Sequence, residues 1–189
     1  MTRRCVTDEQ YGQLRRRADE LVRRTDEGTL DYDWVMAELQ RTVEGQKTVE
    51  IKPIEHIINC DAQPLIPSGW SIVPDKEQLP NRVQGSFQWN PAQVKLYLSD
   101  QQRNGHELKK KLADKEVLPA NVLDYLLANK HLIPEEWKGE SVFFWGTVYR
   151  DAYGYPSVRY LSWNGDGWYW CYFWLVCDWY DDYPAALRV

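Results

Sequence analysis

The chain of 189 residues lacks the segments that mark membrane and exported proteins. No apolar run reaches the roughly 18 residues that a membrane span needs. The opening residues, Met1 to Val6, contain no apolar stretch that would serve as an export signal. The 4 cysteines form neither a CxxC pair nor a disulfide framework, which is typical of a reducing compartment. We therefore expect a cytoplasmic protein without a membrane span.

Motifs for catalysis and metal binding are also missing. The chain has no GxSxG, HExxH, Walker or GxGxxG motif. Its 3 histidines are widely separated, and the nearest approach to a cluster is His56 with Cys60 and Asp61, which lacks metal-ligand spacing. The aspartates of the C-terminal tail do not follow the spacing of an EF-hand calcium loop. We predict no enzymatic activity, no catalytic residue, no metal and no cofactor.

Charge and apolar content are those of an ordinary folded protein. Hydrophobic residues make up 43% of the chain and charged residues 27%, which is enough to build a core. The net charge of −5 disfavours general nucleic-acid binding. Arg15–Arg17 and Arg23–Arg24 could contact an acidic partner, but the acidic residues between and after them favour a solvated helix face. Nucleic acid is therefore not an expected partner.

Residues 7–44 predict a helical hairpin. Thr7 to Gln10 form a capping box, and apolar residues then recur at helical spacing. Gly28 is a suitable stop for the first helix, and Asp31 can cap the second, which should end at Gly45. A hairpin this small buries little surface alone, so we expect it to dock on the rest of the chain or to mediate homo-oligomer formation. The predicted domains are residues 1–46, a helical hairpin, and residues 47–189, an α+β ligand-binding domain with a variable region at about 160–183.

The middle of the chain predicts mixed structure. Residues 48–52 and 86–89 have strand-like composition, and Pro64, Pro67, Pro74 and Pro80 between them break any long element. Residues 91–129 predict helix, because Pro91 suits a first helical turn and apolar residues follow in several groups.

The C-terminal 49 residues, 141–189, predict an antiparallel sheet. Strand formers dominate residues 142–149, 157–163 and 168–175. Asn164-Gly-Asp-Gly is a strong hairpin turn, since glycine permits a positive φ. The expected fold class is therefore α+β, with an N-terminal helical hairpin and a C-terminal antiparallel sheet.

The third of these strands is unusually aromatic. Half of the 10 tryptophans lie in the last 27 residues, and residues 164–183 contain no Lys, Arg, Glu, Gln or Met. Strand alternation puts Trp168, Trp170 and Trp174 on one face together with Tyr172, and Tyr169, Cys171, Phe173 and Leu175 on the other. Both faces could be buried, as in a sandwich. Alternatively the indole face anchors the strand and the other face binds a ligand, because exposed aromatic clusters mark interaction sites.

The genetic code supports the second interpretation. The residues between the tryptophans are almost all Tyr, Cys, Phe, Val or Asp, each of which has a codon ending in C. Changes at the two adenines of an asparagine AAC codon reach all of them. Tryptophan, TGG, contains no adenine and would survive such a process unchanged. The tail has the composition that adenine-directed mutagenesis would leave.

Several segments carry a family resemblance. They are Val122-Leu-Asp-Tyr-Leu-Leu-Ala-Asn, Ile133-Pro-Glu-Glu-Trp-Lys-Gly, Val142-Phe-Phe-Trp-Gly-Thr-Val-Tyr-Arg-Asp, Val158-Arg-Tyr-Leu-Ser-Trp, the spaced Trp168, Trp170, Trp174 and Trp179, and Pro184-Ala-Ala-Leu. In these segments the chain resembles variable proteins of diversity-generating retroelements, above all the set common in candidate-phyla-radiation bacteria. In such systems a reverse transcriptase copies a template repeat with adenine errors and rewrites the 3′ end of the gene. The resemblance implies a non-enzymatic ligand-binding protein with a C-type-lectin-like fold.

The resemblance also implies which residues meet the ligand. The candidate binding surface comprises Tyr169, Cys171, Phe173, Val176, Cys177, Tyr180, Asp181, Asp182 and Tyr183. The predicted scaffold residues are Trp168, Trp170, Trp174 and Trp179. The expected partner is a variable ligand, a protein or a small surface epitope. The alternative is a structural protein whose aromatic tail is buried at a subunit interface, and exposure of Tyr169, Cys171 and Phe173 would favour the binding role.

Overall fold

The computed structural model describes residues 8–44, 55–180 and 182–189. The chain divides into two compact units, Met1–Glu55 and His56–Val189. The fold is mixed α+β, as predicted. None of the helices in the described residues is both long and apolar enough to cross a membrane.

The described residues of the first unit form two helices, α1 (Asp8–Asp26) and α2 (Tyr32–Val43). Gly28, with φ of 69°, lies two residues after the end of α1 in the left-handed conformation that ends helices. The Asp31 carboxylate accepts a hydrogen bond of 2.8 Å from the Trp34 N–H, which caps α2. The predicted stop and cap are therefore confirmed, whereas Thr7 and Gly45 lie outside the described residues.

The second unit contains ten short strands and two α-helices within its described residues. The strands are β1 (Ile57–Asn59), β2 (Ser71–Ile72), β3 (Ser86–Gln88), β4 (Val94–Tyr97), β5 (Arg103–Asn104), β6 (Val142–Arg150), β7 (Pro156–Trp163), β8 (Trp168–Trp174), β9 (Asp178–Trp179) and β10 (Ala185–Arg188). The helices are α3 (Gly105–Lys111) and α4 (Ala120–Ala128). Short 3₁₀ turns are formed by Asp75–Glu77, Pro91–Gln93, Lys130–Leu132 and Glu135–Trp137.

A six-stranded sheet organises this unit. Its strand order is β4-β10-β6-β7-β8, with β2 paired to one end of β6. The predicted antiparallel meander is confirmed as β6, β7 and β8, and the Asn164 side chain accepts hydrogen bonds from two backbone N–H groups in the hairpin turn. The sheet is mixed rather than purely antiparallel, because β10 runs parallel to β6. The C-terminal strand thus lies between β4 and β6, inside the sheet.

One predicted helix is wrong. Residues 91–93 form a single 3₁₀ turn, and residues 94–97 continue as β4 instead of a helix. The Asn90 side chain caps this turn by accepting from the Ala92 N–H at 3.0 Å. The chain then extends because β4 forms an antiparallel ladder with β10, a long-range pairing that overrides local helical preference. The other helical predictions in this region correspond to α3 and α4, and the strand predicted at 48–52 lies outside the described residues.

The sheet is covered on both faces. Helix α4 packs on one face against Phe144, Leu161 and Ala186. The other face, with Phe143 and Val158, is covered by α3 and the chain that follows β8. Packing is close at Gly146, where a Cβ atom would lie 2.7 Å from the Pro119 nitrogen. The strands of the meander are therefore held between two apolar layers.

Candidate functional site

The register of β7 and β8 fixes the two faces of the aromatic strand. Directly opposite residues are Ser162 and Tyr169, Tyr160 and Cys171, and Val158 and Phe173. Opposite residues in an antiparallel pair point to the same side of the sheet. Tyr169, Cys171 and Phe173 therefore share the face covered by α3, and the tryptophans of β8 share the face of α4. The predicted alternation is confirmed.

The chain after β8 folds back over the face that carries Phe173. Trp179 anchors this turn: its ring centroid lies 4.4 Å from that of Phe143, 4.5 Å from Trp145 and 5.3 Å from Phe173. Its Nε1–H donates to the Trp174 carbonyl at 3.1 Å, and the residue is 1% exposed. The indole thus joins the returning segment to the sheet through ring packing and a hydrogen bond.

The three tryptophans of β8 are held on the opposite face. Trp168 is 7% exposed and packs edge-on against Trp163 at 5.4 Å between centroids. Trp170 is half-buried against the α4 layer. Trp174 donates from Nε1 to the Asp151 carboxylate at 2.8 Å. Each indole of the predicted scaffold therefore has a defined contact.

Asp151 lies in the turn between β6 and β7. Its buried side chain also accepts from the Tyr153 and Tyr155 N–H groups, both at 2.9 Å. Burial alone would raise the pKa of this carboxyl, but the hydrogen bonds from Trp174 and from the backbone outweigh burial and lower it. The ionised carboxylate thus fixes both the turn and the Trp174 ring.

The buried side chain of Arg159 packs against the ring of Trp170. The Arg159 side chain is 0% exposed, and its guanidinium carbon lies 4.4 Å from the centroid of the Trp170 ring. Nη2 lies 2.8 Å from Asp124 Oδ1, an ion-pair contact that is not aligned as a hydrogen bond. Nη1 donates to the Leu65 carbonyl at 3.2 Å, and Asp124 accepts from the Leu65 N–H. The strand, α4 and the loop at Leu65 are tied together at this cation.

The candidate binding surface is open to solvent over much of its area. Tyr169 is 40% exposed, Val176 56% and Tyr180 49%. Asp182 is also exposed. The half-buried members are Cys171, Phe173, Cys177 and Tyr183, and Asp181 lies outside the described residues. The neighbouring Leu175, by contrast, is only 1% exposed and belongs to the core.

Three of these residues, Phe173, Tyr180 and Tyr183, form a connected group. Tyr183 contacts both Phe173, at 5.6 Å between ring centroids, and Tyr180, at 5.6 Å. Cys171 lies across the strand pair from Tyr160. Burial, and then the neighbouring Cys171 thiol, raise the pKa of Tyr160. Burial, followed by Asp182 and Tyr180, raises the pKa of Tyr183. Both hydroxyls therefore remain protonated near neutral pH and can donate hydrogen bonds to a ligand.

Two features of this region are missing from the sequence-based prediction. Tyr160 joins the candidate binding surface from the neighbouring strand, and its place follows only from the β7–β8 register. Arg159 supports the indole layer, but an arginine inside a strand would ordinarily be assigned to the solvent side. Its alternation with Tyr160 and Leu161 is the signal that could have located it.

Within the described residues, the histidines and cysteines do not form a second candidate site. His56 Nδ1 lies 2.9 Å from the Tyr125 hydroxyl, and its ring lies 6.2 Å from that of His131. Burial and then His131 lower the pKa of His56. Across the described ranges, no three His, Cys, Asp or Glu side chains converge as metal ligands. Cys60, Cys171 and Cys177 are free thiols.

A polar cleft of about 310 Å³ lies elsewhere in the second unit. Asp61, Arg82 and Asn121 line it. Arg82 is paired with Asp75 at 3.0 Å, and Asn121 donates to the Asn59 and Ala62 carbonyls. Asp61 accepts from the Gly85 N–H, so each of the three lining side chains already has a partner within the fold.

Comparisons of the chain with protein-family models, with curated proteins and with solved structures find no match.

Proposed function

We propose that this chain is a non-enzymatic ligand-binding protein whose C-terminal surface is diversified by adenine-directed mutagenesis of its gene. One observation carries the proposal. In β8 the three tryptophans, whose TGG codon lacks adenine, share one face with Tyr172, whereas Tyr169, Cys171 and Phe173, which adenine changes in an AAC codon can produce, share the other face. Mutation of adenines alone would thus change every β8 side chain on the second face and only Tyr172 on the first.

The burial pattern supports tolerance to such change. Tyr169, Val176 and Tyr180 are between 40% and 56% exposed, and substitutions at exposed positions usually alter stability by about 0.5 kcal/mol or less. Trp168 and Trp179 are at most 7% exposed, and removal of a buried tryptophan costs about 3–5 kcal/mol. Mutation confined to the first group would therefore alter recognition without unfolding the protein.

The chemistry of the surface favours a protein ligand or a small surface epitope. Tyrosine presents a rigid ring and a hydroxyl, and a few aromatic side chains supply most of the affinity in protein interfaces. Exposed Asp178 and Asp182 add negative charge at the edge of the aromatic group. A ligand patch with hydrogen-bond acceptors and positive charge would complement these side chains better than the phosphates of a nucleic acid.

The proposal also includes a fold family and a cellular location. The C-type-lectin-like fold rests on the resemblance of the sequence segments, together with the α+β sheet that carries the surface. The cytoplasmic location rests on the sequence patterns alone. A structural role in an oligomer is a second candidate, favoured by the position of β8 at the end of the sheet, where it pairs on one side only.

The decisive test is the DNA around the gene. We expect a near-identical repeat of the sequence for residues 160–183 close by, with differences confined to adenines of the repeat, and a reverse transcriptase gene beside it. Independent isolates should differ at Tyr169, Cys171 and Tyr180 and agree at Trp170 and Trp179. Differences spread evenly over all bases and over both groups of codons would refute diversification.

Binding is tested separately with a phage-displayed random peptide library. Clones selected on the protein are compared for binding to the double variant Tyr169→Ser/Tyr180→Ser and to the control Tyr153→Ser. Tyr153 is 85% exposed and lies in the turn between β6 and β7. We expect the double variant to lose the clones and the control to retain them, and equal retention by both would contradict the assigned surface.

A further inference from the structure

Strand β8 ends the sheet without the features that usually protect an edge. Among the strands of the described residues it pairs with β7 alone, and its seven residues contain no charge, no proline and no bulge in the β7–β8 register. The opposite edge strand, β4, has only four residues, includes Lys95 and follows Pro91. Short length, lysine and proline are the devices by which proteins avoid edge-to-edge pairing. Within the part of the chain that the structure describes, the β8 end of the sheet is thus the one that lacks such protection against another strand.

The hydrogen-bond pattern identifies which backbone groups face outward. The Leu175 N–H donates to the Pro156 carbonyl at 2.9 Å, and the Asn164 N–H donates to the Gly167 carbonyl at 3.3 Å. Hydrogen-bonded and non-hydrogen-bonded pairs alternate along an antiparallel ladder. The outward groups consequently belong to the even-numbered residues Trp168, Trp170, Tyr172 and Trp174.

Most of these groups have no partner in the described part of the chain. The Trp174 carbonyl accepts from Trp179 Nε1 and from the Cys177 N–H, and the Tyr172 carbonyl lies 3.9 Å from the Cys171 sulfur. The outward N–H groups of all four residues donate no hydrogen bond within the described residues. Buried N–H groups without partners are rare, so this edge must be open to water.

We infer that two copies of this chain pair through their β8 edges, antiparallel about a two-fold axis at Cys171. This register alone overlaps all seven residues while setting outward groups against outward groups. Trp168 then lies opposite Trp174 of the second copy, and Trp170 lies opposite its Tyr172. Cross-strand aromatic pairs of this kind stabilise sheets. The occupant of the edge is therefore the same strand from a second copy.

The lack of charged residues in β8 is compatible with pairing between two identical strands. An isologous interface sets a patch against itself, so a charge near the axis would meet its own copy. The seven residues carry none, and the nearest acidic residues, Asp166 and Asp178, lie in the turn before β8 and in β9. A basic peptide could also align with this edge, but it would forfeit the aromatic pairs.

The pairing joins two candidate binding surfaces. Side chains stand perpendicular to a sheet, so Tyr169 and Phe173 of both copies would lie on one continuous face. The outward backbone groups belong to Trp168, Trp170, Tyr172 and Trp174, three of which have codons without adenine. This joining of surfaces rests on the proposed function, whereas the pairing itself rests only on the free strand edge.

The oligomeric state tests the pairing. We expect the reduced protein to sediment as a dimer, with twice the 22.4 kDa of one chain, and to dissociate on dilution. Tyr172→Pro removes an outward N–H without breaking a bond to β7 and should give a monomer, whereas Tyr172→Ala removes the same side chain, keeps the N–H and should remain dimeric. Far-UV circular dichroism checks that both variants are folded. A wild-type monomer at every concentration, or a folded Tyr172→Pro dimer, would overturn the inference.

Crosslinking provides an arm that does not depend on the proline variant. At a non-hydrogen-bonded pair the two Cys171 Cα atoms would lie about 4.5 Å apart, within the range of about 4.4–6.8 Å that disulfides span. A variant with Cys5→Ser, Cys60→Ala and Cys177→Ser keeps only this thiol, and mild oxidation should link it into a covalent dimer. The matched variant that keeps only Cys177 should not crosslink. Dimers that resist crosslinking at Cys171 would place the interface elsewhere, for example on residues 7–44, and refute the pairing. Neither outcome bears on the gene-repeat test of diversification.

Discussion

Removal of the Trp179 indole is the perturbation that best isolates the anchor of the candidate binding surface. The side chain is 1% exposed, packs against four aromatic rings and donates to the Trp174 carbonyl. Truncation of a buried tryptophan to alanine costs about 3–5 kcal/mol, because it removes apolar contacts and leaves a cavity. We therefore expect Trp179→Ala to lower the free energy of unfolding by about 4 kcal/mol.

The assay is equilibrium unfolding in urea followed by far-UV circular dichroism, since the substitution itself changes tryptophan fluorescence. The neighbouring substitution Tyr180→Ala is the control, because Tyr180 is 49% exposed and should change stability by about 0.5 kcal/mol or less. Trp179→Phe keeps a ring but loses the hydrogen bond and should lie between the two. Equal costs for Trp179→Ala and Tyr180→Ala would refute the distinction between anchor and surface.

Three further predictions concern the supports of the same region. Gly105→Ala should cost about 1–3 kcal/mol in thermal or urea unfolding, because its Cβ would lie 2.4 Å from Trp179 Nε1; wild-type stability would show that the packing there is loose. Asp124→Ala should lower the free energy of unfolding by about 3–5 kcal/mol, because it leaves the fully buried Arg159 cation unpaired. Arg159→Met should lower it clearly less, because the carboxylate that remains is partly exposed. The reverse order in urea unfolding would contradict the role of the pair. Because the pKa of Asp151 is lowered in the folded state, its ionised carboxylate contributes fully to stability above the ordinary pKa of about 3.9, and the contribution is lost as pH falls through the folded-state pKa. Asp151→Asn should therefore weaken the decrease of the free energy of unfolding at acid pH. An unchanged pH dependence would contradict the role given to the Asp151 carboxylate.

The aromatic tail was predictable because its signals are local. Strand alternation has a period of two residues, and Asn164 to Gly167 form a turn whose geometry depends on glycine. The assignment of residues 168–174 to two faces therefore needs no knowledge of the rest of the fold. Only the contacts of Trp179 with Phe173, Tyr183 and the Trp174 carbonyl are local in sequence, whereas those with Phe143 and Trp145 depend on the fold.

Long-range pairing was not predictable in the same way. Residues 94–97 have apolar content that suits a helix, and only their ladder with 185–188 makes them a strand. The insertion of the C-terminal strand between β4 and β6 has no signal in either segment alone. Arg159 illustrates the same limit, because its burial depends on Asp124 and Leu65, which lie far away in sequence.

The central claim is that the tryptophans maintain the fold while neighbouring side chains change. The most direct test is to measure the fraction of folded proteins in a codon-restricted library. The codons for the described members of the candidate binding surface are replaced by all adenine-derived variants of AAC, and the fraction of folded, protease-resistant proteins is counted on yeast. A matched library varies the codons of Trp168, Trp170, Trp174 and Trp179. The account predicts that most members of the first library resist protease and that nearly all members of the second do not. Comparable losses in both libraries would contradict it.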